Sequence, residues 1–446
     1  MRRAKAIGRS VLWAVGMLLL AGGALAQEIV IEYWHPYGPP WEEGQLQTAA
    51  LFNERFSGRI RVEAKAVPDL YQKLPVAIAS GAGPDAAHVT GIARVIEYAD
   101  RGLVVPLDDA LARIPEWDPD DIFPGFYETY RYNGKLYGLP GSAQPTSLAW
   151  SKQAFREAGL DPERGPADQA EFEQFIARLT RRNPDNSLDR VGYLFSMWGG
   201  FMNFAYHWGA SFYDEELDQI TVTDEPAVEA LEWLVRLYDS YGGLAAVNEF
   251  LTRFRTSVSS GTIATVGTEP IYVGRQGMAT YSHYNYFAAY TNAPDWEYGF
   301  SVIPPLGGPS KAPKAPIVHT DGEVVVAGSD HVVEAALYIW FKTLDPQARK
   351  ATIQRSAHPA ASISVNRTAT VDRWVPDWYP MELWLQNFEV LARARPWPQT
   401  PIVNDLSGQI NAAYSRAIQG QMAPRPSLEE AQRLAEAKLA EWRAQR

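Results

Sequence analysis

The chain has no cysteine among its 446 residues. That removes disulfides, thiol catalysis and every cysteine-based zinc site. It also lacks a GxSxG elbow, a P-loop, an HExxH helix and a GxGxxG turn. Its seven histidines, His35, His88, His207, His283, His319, His331 and His358, are scattered, with no pair at metal-ligand spacing. No metal and no cofactor is therefore expected. The paired carboxylates Glu42-Glu43, Asp108-Asp109, Asp120-Asp121 and Glu215-Glu216 are neighbours in sequence. Adjacent residues cannot provide the separated acid and base that glycoside hydrolysis requires, so no catalytic residue is assigned. The run Asp214–Asp218 lacks the glycine and closing glutamate of a calcium loop and reads as a turn. Positive charge is scarce: 41 Lys and Arg stand against 52 Asp and Glu, a net charge of −11. Nucleic-acid binding rests on cations that neutralise phosphates, so nucleic acid is a poor partner for this chain.

The first 26 residues form an export signal. Arg2, Arg3, Lys5 and Arg9 precede the apolar run Val11–Leu20, and Ala24-Leu25-Ala26 supplies the small residues of a cleavage site after Ala26. The apolar stretch is shorter than the ~20 residues of a membrane span, so the mature chain is expected in the periplasm and not embedded in a membrane. Losing the four signal cations takes the net charge from −11 to −15. The 420 residues that remain exceed what one core organises, and more than one lobe is expected.

Strands and helices alternate along the chain. Ile29–Tyr33 is a strand, Leu46, Ala49, Phe52 and Phe56 share a helical face, and Ile60, Val62, Ala64 and Ala66 alternate as a second strand. Strand, helix and strand in this compass imply a parallel pair. Helices over Leu70–Ser80 and Ile92–Ala99 flank a third strand, Asp85–Val89. Further on, Tyr213–Thr221 reads as a surface hairpin and Asp224 with Pro226 opens a helix stopped by Gly242-Gly243. Gly277–Tyr281 and Tyr298–Ile303 are apolar strands, Pro304–Pro316 is a loop, and Glu323–Ala327 precedes a helix. Near the end, Ser427 with Glu430 has the spacing of a capping box. The class is α/β.

Aromatic residues are abundant, with 15 Trp, 22 Tyr and 17 Phe. Trp34, Tyr37 and Trp41 cluster with His35 and Glu42 just beyond the first strand. Ligands of open α/β sheets bind beyond the carboxyl ends of strands. Flat rings suit the C–H faces of a sugar, while His and Glu can pair its hydroxyls.

About a third of the way along, Asn133-Gly134 marks a two-residue hairpin turn, since both central positions need positive φ. Pro140 then ends a ladder and Ser147–Trp150 begins a new apolar run. This stretch, YNGKLYGLP followed by SLAWSKQAFREAGLD, resembles the passage between lobes in extracellular solute-binding proteins of ABC importers for sugars and oligosaccharides. YQKLPVAIASGAGPDAAHVTG and YADRGLVVPLDD resemble the first lobe of the same family. The resemblance implies a two-lobed periplasmic-binding-protein fold of type II, with three hinge crossings and mixed, largely parallel sheets flanked by helices. The crossings would lie near Leu139–Gln144, Tyr298–Ile303 and Ala357–Ala361. Residues 27–140 plus 300–357 would form lobe one, and 141–299 plus 358–446 lobe two.

The resemblance also nominates site residues. Gln144 matches a sugar-contacting position after the first crossing, and as an amide it favours neutral hydroxyls. Trp198 sits where the family places an aromatic on its ligand. Gln276-Gly277-Met278-Ala279 resembles the GxxAM strand of the family, with Gly277 where Ala is usual, and Tyr284 with His283 lies just beyond it. Arg395 and Trp397 resemble a segment at the cleft mouth, and His88 and Thr90 follow the third strand. The implied function is a monomeric periplasmic protein that captures a sugar and delivers it to the permease of an ABC transporter. Three alternatives stay open: the same fold binding glycerol-phosphate or another phosphate-bearing solute, a secreted carbohydrate-degrading enzyme, and a scaffold or sensor partner.

Overall fold

The computed structural model describes residues 27–39, 41–195, 200–254, 256–258, 265–307 and 320–446. The export segment, Trp198 and most of the expected loop at Pro304–Pro316 lie outside the described residues. The first sheet takes the order Ile60–Ala66, Ile29–His35, Ala86–Val89, Gly322–Val325, Leu139–Pro140. Alternation along Ile29–His35 is clean: Ile31, Tyr33 and His35 are buried while Val30, Glu32 and Trp34 are not. The strand pairs in parallel with Ile60–Ala66 from Ile29↔Ile60 to His35↔Ala66, as the helix between them requires. Gly322–Val325 returns from late in the chain and runs antiparallel to both Ala86–Val89 and Leu139–Pro140.

The second sheet takes the order Tyr298–Ser301, Thr146–Ser151, Gln276–Ser282, Leu188–Leu194, Arg181–Arg182. Both sheets are mixed. Among the described sheet strands five pairings are antiparallel and three parallel, so the parallel share is smaller than expected. Strand faces segregate the core here too. Leu148 and Trp150 point into one cluster and Ala149 into another, with Met278 and Ala279 dividing the same way. Phe300 and Ser301 pair with Ala149 and Leu148, so the strand Tyr298–Ser301 is part of the second sheet to its end.

Local signals explain most boundaries. Asn133 and Gly134 have φ of 48° and 76°, and the ladder Arg131–Tyr132 to Lys135–Leu136 closes around them. Gly242 ends the helix Glu225–Tyr241 with φ 98°. Two expectations are corrected. Leu46 is 48 % exposed, because the helix Trp41–Arg55 buries Thr48, Ala49 and Phe52 instead. Ser427 caps nothing: Pro424, with φ already set for a helix, starts the last helix earlier, at Pro424–Ala444. Gly277 is also explained, since a β-carbon there would meet Leu179 Cδ1 at 2.7 Å and the Gly192 carbonyl at 2.8 Å.

The passages between sheets are tied to one another. The Gly141 N–H donates to the Asp321 carbonyl (2.7 Å), and the Ala143 N–H donates to that of Pro359 (3.3 Å). The terminal nitrogens of Arg349 donate to the carbonyls of Gly141 (3.3 Å), His358 (3.2 Å) and Pro359 (3.2 Å). The final segment serves both halves. Leu406, Ile410 and Leu439 belong to the second core, whereas Leu391 and Val403 belong to the first. Trp442 Nε1 donates to Asp100 (2.9 Å), which also accepts from Tyr132 Oη (2.6 Å) and pairs with Arg446. Among the described residues no helix is long and apolar enough to cross a membrane.

A β-carbon at Gly299 would overlap the buried Trp150 indole. Gly299→Ala should lower stability by about 1–3 kcal/mol, the usual cost of overpacking. A lowered urea midpoint followed by tryptophan fluorescence checks this.

Candidate functional site

A polar cavity of about 90 Å³ lies where the two halves meet the crossings, lined among others by Tyr37, Trp41, His88, Tyr284, Asp321 and Arg349. Its floor is a buried ionic cluster on the first sheet. Glu323, 0 % exposed, accepts from Tyr33 Oη (2.8 Å), contacts His88 Nδ1 (2.8 Å) and pairs with Lys342 Nζ (2.9 Å). His88 Nε2 meets Tyr37 Oη at 2.9 Å, and Tyr37 Oη donates to Asp321 (3.5 Å). Burial alone would push the Glu323 carboxyl up. Lys342 and His88 outweigh it and hold the group at about 2. Asp321 has only the more distant His88 Nε2, at 3.7 Å, and burial moves it above the usual aspartate value, His88 only partly opposing this.

Rings from opposite halves meet above this floor. Trp41 opens the helix that follows the first strand, and its indole lies 5.2 Å from Tyr284 at 72° and 5.6 Å from Phe287. Tyr284 and Phe287 stand on the helix His283–Asn292, which continues directly from the strand Gln276–Ser282. A capping box between Ser282 and Asn285 fixes where that helix begins. Behind Tyr284, the His283 and His358 rings stack at 3.7 Å. Burial holds His283 down to about 3, with Arg349 adding to the effect, so this ring stays neutral. A second, smaller cavity of about 20 Å³ opens at the ends of the second-sheet strands, lined among others by Gln144, Thr146, Tyr193, Asn203 and Ser282.

The expected site residues separate accordingly. Tyr37, Trp41 and Tyr284 line the larger cavity, and Gln144 lines the smaller, donating to Ser142 Oγ (3.2 Å). His35 lies wholly buried between Tyr33 and Tyr37, and burial pushes its pKa down to about 4. His283 is buried beside Tyr284. Trp34 takes the outer face of its strand, donating to Glu32 (2.5 Å) and packing on the first core, and lines neither cavity. Glu42, next to Trp41, also lines neither. The Thr90 carbonyl accepts from Arg94 (2.6 Å). Arg395 is exposed, 5.9 Å from the Tyr206 ring, and Trp397 packs against both cores. Asp321, Glu323, Lys342, Arg349 and His358 were not anticipated. The signal for two of them was available: Glu323 interrupts the apolar run before Val324-Val325-Val326, and Lys342 follows Tyr338–Phe341 on a buried helix.

Two sheet-centred halves, joined by several crossings and closing ring on ring over a polar cavity, define a two-lobed binding protein. The chain belongs to the bacterial extracellular solute-binding proteins, whose family pattern matches residues 47–375. Its fold is similar to that of CpMnBP1 with mannobiose bound, at a TM-score of 0.76 and 23% identity, covering 92% of this chain and 100% of that one. It is similar also to an ABC substrate-binding protein from Listeria monocytogenes in complex with cycloalternan (TM-score 0.72, 20% identity, 93% and 99% covered). A third likeness is to the maltose/maltodextrin-binding domain MalE of Bdellovibrio bacteriovorus bound to maltotriose (0.68, 18%, 92% and 100%). At these identities the likeness is one of fold. A binding protein of Brucella abortus (strain 2308) is 29% identical over 186 residues, 40% of this chain and 41% of that protein.

The Glu323 cluster has a pH signature. Its folded pKa lies below the unfolded value, so its contribution is complete above about 4.5 and is lost as pH falls towards about 2. Glu323→Gln should remove that part of the acid slope. It should also cost about 3–5 kcal/mol at pH 7, because Lys342 is left buried and uncompensated. Urea unfolding of both proteins between pH 2 and 7 tests the pair of outcomes.

Proposed function

We propose that the chain is the capture component of an ABC importer and holds a sugar or oligosaccharide between its two halves. The observation that carries this is the ring contact across the cleft, Trp41 of one half against Tyr284 and Phe287 of the other. Flat apolar faces on both sides, with Tyr37, His88, Asp321 and Gln144 near them, suit the alternating C–H and hydroxyl surface of a sugar. The bound sugars of the three structural neighbours, mannobiose, cycloalternan and maltotriose, support the same class. Lobe one would comprise residues 27–140 and the return through Gly322–Val325 to about 357, and lobe two most of the remainder. The site would be built from Tyr37, Trp41, Gln144 and Tyr284, with His35 and His283 supporting the rings. Trp198, Trp397, Arg395, Thr90 and Glu42 would come into play only with a longer ligand.

No bond is made or broken in this reading. A ligand touching both halves stabilises the closed arrangement by its differential contacts, and that arrangement is what a membrane permease would receive. Export through the first 26 residues, cleavage after Ala26 and residence in the periplasm complete the proposal.

Trp41→Ala and Tyr284→Ala should each weaken binding of mannobiose or maltotriose ten- to hundredfold, about 1.4–2.7 kcal/mol. The loss should appear in titration calorimetry with the melting temperature of the free protein little changed. A panel in which no neutral or acidic sugar gives heat would refute the proposal.

A further inference from the structure

The hinge cavity contains a charge that no described residue balances. Arg349 is 3 % exposed, and its terminal nitrogens reach only the carbonyls of Gly141, His358 and Pro359. Its Nε has no hydrogen-bond partner. Nearby ions are already engaged: Lys342 with Glu323 (2.9 Å), Arg355 with Glu43 (3.2 Å) and Asp345 with Arg55 (2.5 Å). Among the described residues no carboxylate pairs with Arg349. Buried charges are ordinarily paired, because an isolated one carries a large desolvation penalty. Burial pulls the guanidinium down to about 10, with Tyr284 and Glu323 acting in the opposite direction.

Two further polar atoms on the same cavity lack partners. His358 Nε2 is buried without a hydrogen bond, and so is Gln45 Oε1 on the helix Trp41–Arg55. The first can donate in the tautomer that protonates it; the second can only accept. A guanidinium Nε–H and an imidazole N–H favour an anion, whereas the Gln45 oxygen and Asp321 favour hydroxyl hydrogens. One molecule carrying a carboxylate and hydroxyl groups would satisfy all of them.

We propose that this end of the cavity takes the carboxylate of a sugar acid, bound by Arg349 and His358, with Gln45 accepting from a ring hydroxyl. The inference rests on the sugar-binding reading of the cleft and narrows it to uronic or aldonic acids. A carboxylate oxygen can accept a charge-assisted hydrogen bond from the Nε–H of Arg349 that its carbonyl contacts leave unpaired.

The test is titration calorimetry and thermal shift on the mature chain with glucuronate and galacturonate, each beside its neutral sugar, with mannobiose and acetate as controls. At least one uronate should bind tenfold or more tightly than its neutral partner. Arg349→Gln should abolish that preference. Gln45→Glu, at a partly buried position on the helix Trp41–Arg55, should weaken the uronate at least tenfold more than it weakens mannobiose. If mannobiose binds and uronates show no preference, the acid subsite is refuted while the sugar reading stands. Acetate binding as tightly as the uronate would replace the sugar acid with a free carboxylate. If no sugar binds at all, both readings fall together.

Discussion

Arg349 holds the three passages between the sheets in one place. Its guanidinium grips carbonyls from the first passage, at Gly141, and from the third, at His358 and Pro359, while the Gly141 N–H takes the Asp321 carbonyl of the second. These are segments without strand or helix partners of their own, and a buried backbone needs its carbonyls satisfied. One side chain with a rigid fork of donors does this for chain positions more than 200 residues apart. The His283 and His358 rings stack immediately against that junction, and Tyr284 meets His358 edge-on.

The two faces of the cavity are held by different means. On the first half, Tyr33, His88 and Lys342 converge on Glu323, three partners on one carboxylate inside a sheet. Such a network fixes the position of His88, and through it the Tyr37 hydroxyl, to within the tolerance of hydrogen bonds. On the second half the rings stand at the start of a helix that opens with a capping box and is packed through Tyr286 and Ala289 into its own core, with Phe287 against Trp378.

The fold was largely legible from local chemistry, and the site only in part. Turn residues with positive φ, apolar alternation and helix stops are written over a few positions, so Asn133-Gly134, Gly242 and the strand Ile29–Tyr33 could be read directly, and the strand runs two residues further, to His35. The same period of two also held the answer for Trp34. It shares a face with Glu32, opposite Ile31, Tyr33 and His35, so an aromatic close to the cleft in sequence turns away from it in space. Arg349 was illegible for a different reason. Its partners are main-chain carbonyls brought together by tertiary structure, and nothing within the helix Pro346–Ser356 distinguishes it from the exposed cations around it. Leu46 failed because four residues spaced along a helix define a face but not its width, and the core took only the middle of it.

Asp100 receives Trp442 and Arg446 from the far end of the chain and Tyr132 from its own half. The last helix, whose inner side belongs to the second core, is thus moored to the first. A pair of plates joined only at their passages could swing freely; this pair has a tether as well. Any parting of the two would have to release Trp442 and Arg446 from that carboxylate, so the last helix and the first half are held together at a point far from the passages in sequence.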